Sequence, residues 1–239
     1  MTDREIIAGI APIGKLRVAI NYGNPVLAQR NKADQPKGIS AALATELAKE
    51  LNVDIEWVTF DAAGQVFASI DDHCWDIAFL AIDPLRSEKI AFSQPYVTIA
   101  GTYLVHEDAP FKQVADLDQP DVTISVGRGA AYDLYLSRTL KHAQFVRGET
   151  SLSAIELFVA GQSNAAAGVR QPLQAYADEH EGFRVVLDDF TTINQAMAVP
   201  RNHTLAAAYI SAFVTRKKQE GFIKAALVEN GQPSSLAAQ

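Results

Sequence analysis

The sequence predicts a two-lobed α/β protein, each lobe a mostly parallel sheet flanked by helices, with two extended strands joining the lobes. Three observations predict it. The order strand–helix–strand–helix–strand occurs twice along the 239 residues, the pattern of parallel sheets with crossover helices. Two long extended runs, Tyr96–His106 (YVTIAGTYLVH) and Ile193–Pro200 (INQAMAVP), flank the second half. After the second run only helical patterns follow. On this reading residues 1–103 are the first part of lobe one, 104–196 are lobe two, and 197–239 return to lobe one. The hinge segments are Thr102–Val105 and Ala196–Pro200.

Each element has its own signal. Ile6–Pro12 reads as a short helix stopped by Pro12 and Gly14. Leu16–Tyr22 alternates and is β-branched, so it reads as a strand. Gln29–Pro36 is polar and turn-rich, a loop or hairpin tip. Ser40–Leu51 has apolar residues at helical spacing, with Ser40 as the expected N-cap and Asn52 at its C-terminal end. Val53–Phe60 is a strand, Ala62–Ile70 a helix, and Trp75–Ala81 an apolar strand buried on both faces. In the second half Val122–Val126, Ala143–Arg147, Asn164–Val169 and Arg184–Leu187 read as strands. Ala131–Leu140, Ser151–Val159 (opened by Ser151 or Ser153) and Gln171–Glu179 read as helices. Thr204–Gln219 and Phe222–Glu229 close the chain as helices, and the tail from Gly231 is expected to fray.

Composition narrows the function. Hydrophobic residues make up 48% and charged residues 21%, ordinary for a globular protein. A net charge of −7 argues against sequence-independent nucleic-acid binding, which needs a basic surface. It leaves small anionic ligands open, because a basic pocket can sit inside an acidic protein. The single cysteine, Cys74, excludes an intrachain disulfide and a thiolate zinc site, and no cofactor is implied. No apolar run reaches the roughly 20 residues that span a bilayer. The opening MTDREIIAGIAPIG lacks the pattern of a secretory leader, which leaves a cytoplasmic location open.

The most informative stretch is Ile77–Ser93, IAFLAIDPLRSEKIAFS. It reads as a buried strand, a capped turn and a short helix carrying one arginine. Asp83 suits the N-cap and Pro84 the first helical position. Arg86 then lies in the first turn, where the helix dipole mildly disfavours a cation, so an anionic ligand is one reason for it to be there. The alternative is a surface arginine paired with Glu88 or Asp83. Gly127–Gly129 in GRGAAYDL permits close backbone approach ahead of a helix start, which attracts anions; the alternative is a plain strand–helix turn.

The ordered set of GKLRVAINYGNP, GISAALATELAKELNV, WDIAFLAIDPLRSEKIAFSQPY, AMAVPR and GFI resembles the bacterial extracellular solute-binding proteins of family 3, from about Gly14 to Leu227. The resemblance implies a type II periplasmic-binding fold with a ligand cleft between its lobes. It implies a receptor for an amino-acid-like ligand or organic acid, an ABC permease as partner, a monomer, and a periplasmic location. Arg86 corresponds to the family's carboxylate-binding arginine, and backbone amides around Gly129, Ala130 and Ala131 to its assistants. Ala81, Asp83, Arg128 and Tyr132 flank these positions, and Asn21 and Tyr22 end the first strand, where α/β sheets bind ligands. The family's acidic residue for the ligand ammonium falls at Val169, with Arg170 beside it. A buried ammonium lacking a carboxylate is costly. The set Arg86, Arg128 and Arg170 therefore suits a ligand with two anionic groups, or with one anion and no amine. Asn164, Gln171 and Gln195 are weaker candidates. Two alternatives stand beside a receptor: a cyclohexadienyl-dehydratase-like enzyme, with Asp133 or Glu149 as its acid, and a ligand-sensing domain. No Gly-x-Ser-x-Gly, His-Glu-x-x-His or phosphate-loop motif is present.

Overall fold

The structure, a computed structural model, describes residues 3–239, with side chains from residue 7 onward. The chain divides into two compact units. Unit 1 holds the residues up to Asp61, Gln65–Thr98 and Asn194–Gln239; unit 2 holds Ala62–Gly64 and Ile99–Ile193.

In unit 1, α1 (Asp3–Ile10) precedes β1 (Lys15–Asn21), whose inner residues Leu16, Val18, Ala19 and Ile20 are buried. A small hairpin, β2 (Gln29–Arg30) with β3 (Pro36–Lys37), leads to α2 (Ile39–Leu51). Ile39, Leu43, Leu47 and Leu51 recur four residues apart on one face and are buried, which is why this segment is a helix packed on the sheet. It begins two residues earlier than Ser40 as the N-cap would have it. The N-cap is Gly38, at φ 108°, where an added Cβ would meet the Leu27 carbonyl oxygen at 2.5 Å. Ser40 is buried instead, its hydroxyl 3.1 Å from the Tyr96 hydroxyl. Asn52 ends the helix in the left-handed region, as C-cap residues do.

β4 (Asp54–Phe60) pairs parallel to β1, with Lys15 opposite Asp54. α3 (Ala63–Ala68) passes into a 3₁₀ turn at Ser69–Asp72, where the Ser69 hydroxyl accepts from Trp75 Nε1 at 3.0 Å. β5 (Ile77–Ala81) is buried throughout and also runs parallel to β1. The four-residue α4 (Pro84–Ser87) follows. The return strand β11 (Thr191–Pro200) adds antiparallel to β5, pairing Gln195 with Ala81. α8 (Thr204–Gln219) and α9 (Phe222–Glu229) complete the unit. The tail does not fray: Ala237 bridges to Val97, and Ala238 N–H donates to the Tyr96 carbonyl at 3.0 Å.

Unit 2 is built on the part of β6 (Ile90–His106) from Ile99 onward, with β7 (Thr123–Gly127), β8 (Gln144–Gly148), β9 (Ala165–Val169) and β10 (Phe183–Val185). β7 pairs parallel with β8 and β9, while β6 pairs antiparallel with β9 and β10. Helices α5 (Ala131–Thr139), α6 (Ser151–Val159) and α7 (Arg170–Glu179) alternate with these strands. Thr150, rather than either serine, caps α6: its side chain accepts from Ser153 N–H at 3.0 Å, and Ser153 Oγ accepts from Thr150 N–H at 2.9 Å.

The crossings between units lie at Thr98–Ile99 and Ile193–Asn194, a few residues before the sequence-derived boundaries. Thr102–Val105 belongs wholly to unit 2 and Ala196–Pro200 wholly to unit 1. β6 and β11 each remain one unbroken strand through the crossing, so no local break in the sequence marks the point.

One carboxylate closes the far end of unit 2. Asp118 accepts from the backbone N–H groups of Lys141, His142 and Ala143 at 2.8–3.1 Å. Partial burial opposes its ionised form, but the amides of His142, Ala143 and Lys141 prevail and hold its pKa below the usual carboxylate range. An aspartate lowered in this way stabilises the fold above its unfolded value of about 3.9, and the contribution is lost as pH falls through the lower folded value. Asp118→Ala is expected to reduce stability by about 1–3 kcal/mol in urea unfolding at pH 7. The gap from the parent should narrow below about pH 4.

Candidate functional site

Parallel strands collect their carboxyl ends on one edge of a sheet, and loops at that edge form ligand sites. In unit 1 the edge is made by β1, β4 and β5. Asn21 ends β1, and its Oδ1 accepts from Gly23 N–H at 2.8 Å, which fixes the turn that follows. The Tyr22 ring lies under the Arg30 guanidinium, 4.1 Å from its centroid, so loop packing accounts for the ring. The Tyr22 hydroxyl is nevertheless enclosed, with no hydrogen-bond partner among the described residues.

At the end of β5 the short helix α4 turns back on the strand. Asp83 caps it as the sequence predicts: Oδ1 accepts from Leu85 N–H at 2.9 Å, and the backbone carbonyl accepts from Ser87 N–H and Oγ. This places Arg86 inward. Its side chain is 0% exposed, which removes the reading of a surface arginine. Nη1 donates to the Ala81 carbonyl at 3.1 Å, fastening the guanidinium to the carboxyl end of β5. Burial lowers its pKa to about 10, while the nearby Asp83 charge works the other way. The group is therefore a desolvated cation at neutral pH. Gln195, buried on β11 opposite Ala81, adjoins the same strand end.

In unit 2 the corresponding edge is made by β7, β8 and β9. The turn after β7 is tight. Arg128 N–H donates to the Gly148 carbonyl at 2.8 Å and Ala130 N–H to the Gly127 carbonyl at 3.0 Å. Gly129 sits at φ +67°, and its N–H donates to Asp133 Oδ2 at 2.8 Å. Ala130 caps α5 without a side-chain acceptor for its first-turn amides. Tyr132 is buried and donates to Ser151 Oγ at 2.9 Å; it fills the base of the turn. Burial first, against the hydrogen bonds with Ser151 and Gly127, pushes its phenol up to about 12.

Three sequence expectations change here. Arg128 is exposed and pairs with Glu149 at 3.1 Å. Arg170 pairs with Asp189 at 2.6 Å and also donates to Thr102 Oγ1 and the carbonyls of Val186 and Asp188. Each therefore answers a carboxylate of its own unit. The third concerns Asp133, whose role goes beyond a helix start: it joins Gly129 N–H to Arg147 Nε at 3.1 Å and to Ser137 Oγ at 3.2 Å. Its place in the first turn of α5 was visible in the sequence, but Arg147 arrives from β8 and no local signal pairs them. Val169 lies at the end of β9, half-buried, and caps α7 without a side-chain acceptor.

A family model described as bacterial extracellular solute-binding proteins, family 3, matches residues 16–229, a span that includes both edges just described. The chain belongs to this family. A curated relative is the glutamate-binding protein GluB of Corynebacterium efficiens, 25% identical, the match covering 95% of this chain and 82% of that protein. Among solved structures, the ancestral amino acid-binding protein AncCDT-1, a precursor of cyclohexadienyl dehydratase, is 27% identical, with a TM-score of 0.76 and coverage of 96% and 98%. The solute receptor for L-cysteine of Neisseria gonorrhoeae is similar in fold, with a TM-score of 0.86 at 20% identity and coverage of 98% and 99%. The family member described here thus has the α/β periplasmic-binding fold of the type II amino-acid-binding proteins. No helix among its described residues is long and apolar enough to cross a membrane.

The phenol of Tyr132 gives a test of the turn. A phenol raised in the folded state binds its proton where the unfolded chain, near pH 10, has lost it, so stability falls as pH rises above about 10. Tyr132→Phe is expected to cost about 1 kcal/mol at pH 7. It should also remove part of the alkaline loss between about pH 10 and 12, measured by urea titration at each pH.

Proposed function

We propose that this chain is the solute-binding component of an ABC-type importer, and that it takes a small ligand bearing a carboxylate, either amino-acid-like or an organic acid. The observation that carries the reading is Arg86, a wholly buried cation fastened to the carboxyl end of β5. A guanidinium presents parallel donors that match a carboxylate, and in a desolvated setting such a bond is worth more than at a surface. Family membership over residues 16–229 and a glutamate-binding relative spanning 95% of the chain support the same class of ligand.

Ala81 and Asp83 adjoin Arg86, and Asn21 and Tyr22 at the end of β1 complete the unit 1 residues in this reading. In unit 2 the start of α5, from Gly129 to Tyr132, is a second position that attracts anions through the helix dipole. The family description also supports a periplasmic or extracellular setting, where a permease would recognise the ligand-bound conformer. The similarity to a precursor of a dehydratase keeps an enzyme in view. Asp133 and Glu149 each accept from a guanidinium, a role unlike that of a proton donor.

Isothermal titration against a panel of L-amino acids and organic acids tests the proposal. Arg86→Ala is expected to weaken binding of whichever compound the parent takes by about 1.5–3 kcal/mol, roughly 10- to 150-fold. Arg86→Lys, which keeps the charge and loses the fork, should fall between. Unchanged affinity in a folded Arg86→Ala protein would take this residue out of the site. Steady absorbance on incubation with prephenate or arogenate is the result expected of a receptor.

A further inference from the structure

A groove of about 820 Å³ opens in unit 2, away from the strand edge described above. Val122 and Asn164 border it, and they directly precede β7 and β9. These two strands run parallel, so the groove lies at their amino ends, opposite the edge that carries the Gly127–Tyr132 turn. It is a place apart from any ligand position at the carboxyl ends.

Hydrogen bonds fix its walls. Arg184 on β10 donates to three carbonyls of the loop that follows β6: to Glu107 through Nε at 3.0 Å, and to Ala109 and Phe111 through Nη2, both at 2.7 Å. Val114 N–H donates to Asp188 Oδ1 at 2.8 Å, and Leu187 N–H to the Lys112 carbonyl at 3.1 Å. These bonds hold Phe111 and Leu187 at the groove, yet Leu187 stays 84% exposed. A lone exposed leucine needs no explanation, but here Phe111, Val122 and Leu187 line one concave surface. Walls ordered in advance lower the cost of receiving a partner's side chain.

The charge at the rim selects the partner. Asp116 and Asp121 line the groove with one cation, Lys112. The amides of Gln113 and Lys112 hold the pKa of Asp116 below the usual carboxylate range, and the Lys112 charge acts on this same group. The Asp121 carboxylate has no ion-pair partner among the described residues. Residues 107–121 as a whole carry five carboxylates and one cationic side chain. Such a rim repels an anionic lipid surface and nucleic acid. The ten lining residues fall short of the roughly 20–30 that each side of a stable protein interface uses, so a short segment fits better than a second folded copy.

We propose that this groove docks a short exposed segment of a partner protein in which apolar side chains flank an arginine or lysine. The apolar side chains meet Phe111, Val122 and Leu187, and the cation pairs with Asp121. Docking here needs no ligand at the strand ends, so it stands or falls independently of the receptor reading.

The test is a titration of the isotope-labelled full chain with two capped peptides, Gly-Leu-Arg-Leu-Gly and Gly-Leu-Glu-Leu-Gly, followed by backbone amide chemical shifts. The arginine peptide is expected to shift the amides of Lys112, Val122 and Leu187 saturably, and to bind about three- to tenfold more tightly than the glutamate peptide. Leu187→Ser should weaken it by about fivefold or more, with little change in melting temperature because the side chain is so exposed. Asp121→Asn should shrink the difference between the peptides, and Asp121→Lys should reverse it. Equal binding of the two peptides overturns the proposal, as do an absence of shifts, shifts confined to other surfaces, or undiminished affinity in Leu187→Ser. Concentration-dependent dimerisation of the parent in sedimentation, abolished by Leu187→Ser, would make a second copy the occupant and overturn it as well.

Discussion

The enclosure of one guanidinium at the end of β5 is the constraint around which unit 1 is arranged. Burying a charge is expensive, and proteins keep buried charges where geometry and hydrogen bonds compensate. Here the compensation starts with backbone: Ala81 supplies a carbonyl, and Asp83 both caps α4 and lowers the cost of the charge. The four-residue helix has little stability of its own. It exists because Asp83 and Pro84 start it and because the chain must reverse at the strand end. That reversal turns a side chain that would otherwise reach solvent into the interior.

Unit 2 meets the same problem by different means. Its glycine turn presents amides instead of a cation, and one of them is already taken by Asp133, which Arg147 and Ser137 hold in place. Arg170 lies at the first position of α7, where a cation is mildly unfavourable. Its partners explain it. It links α7 to Thr102 on β6 and to the segment Val186–Asp189 that leads into β11. One side chain thus ties β6 to the segment that precedes β11, all within unit 2.

Much of the architecture was legible because the signals are local. The all-apolar run of β5, the four-residue spacing of α2, and the Asp-Pro start of α4 each follow from neighbouring residues. Misreadings came where tertiary contact overrides a local preference. Ser40 is a good cap by type, but Gly38 is the residue that fits against Leu27, and Ser40 is drawn inward by Tyr96. The tail has the composition of a frayed end, yet Val97 and Tyr96 offer it an open strand edge.

The candidate site divides along the same line. The sequence by itself determined which residues stand at the carboxyl ends of the strands, because strand order, turn residues and helix starts are written locally; Arg86 and the glycine turn were read on that ground, and Val169 was singled out by the family resemblance. Only the tertiary structure decided how each of the charges there is held. Arg128 and Arg170 look equivalent to Arg86 as letters, but Glu149 and Asp189 meet them from other loops, whereas the turn of α4 buries Arg86 against β5. The physical reason is range: hydrogen bonds within a turn are settled by adjacent residues, while the partner of a long charged side chain is settled by what the fold brings near it.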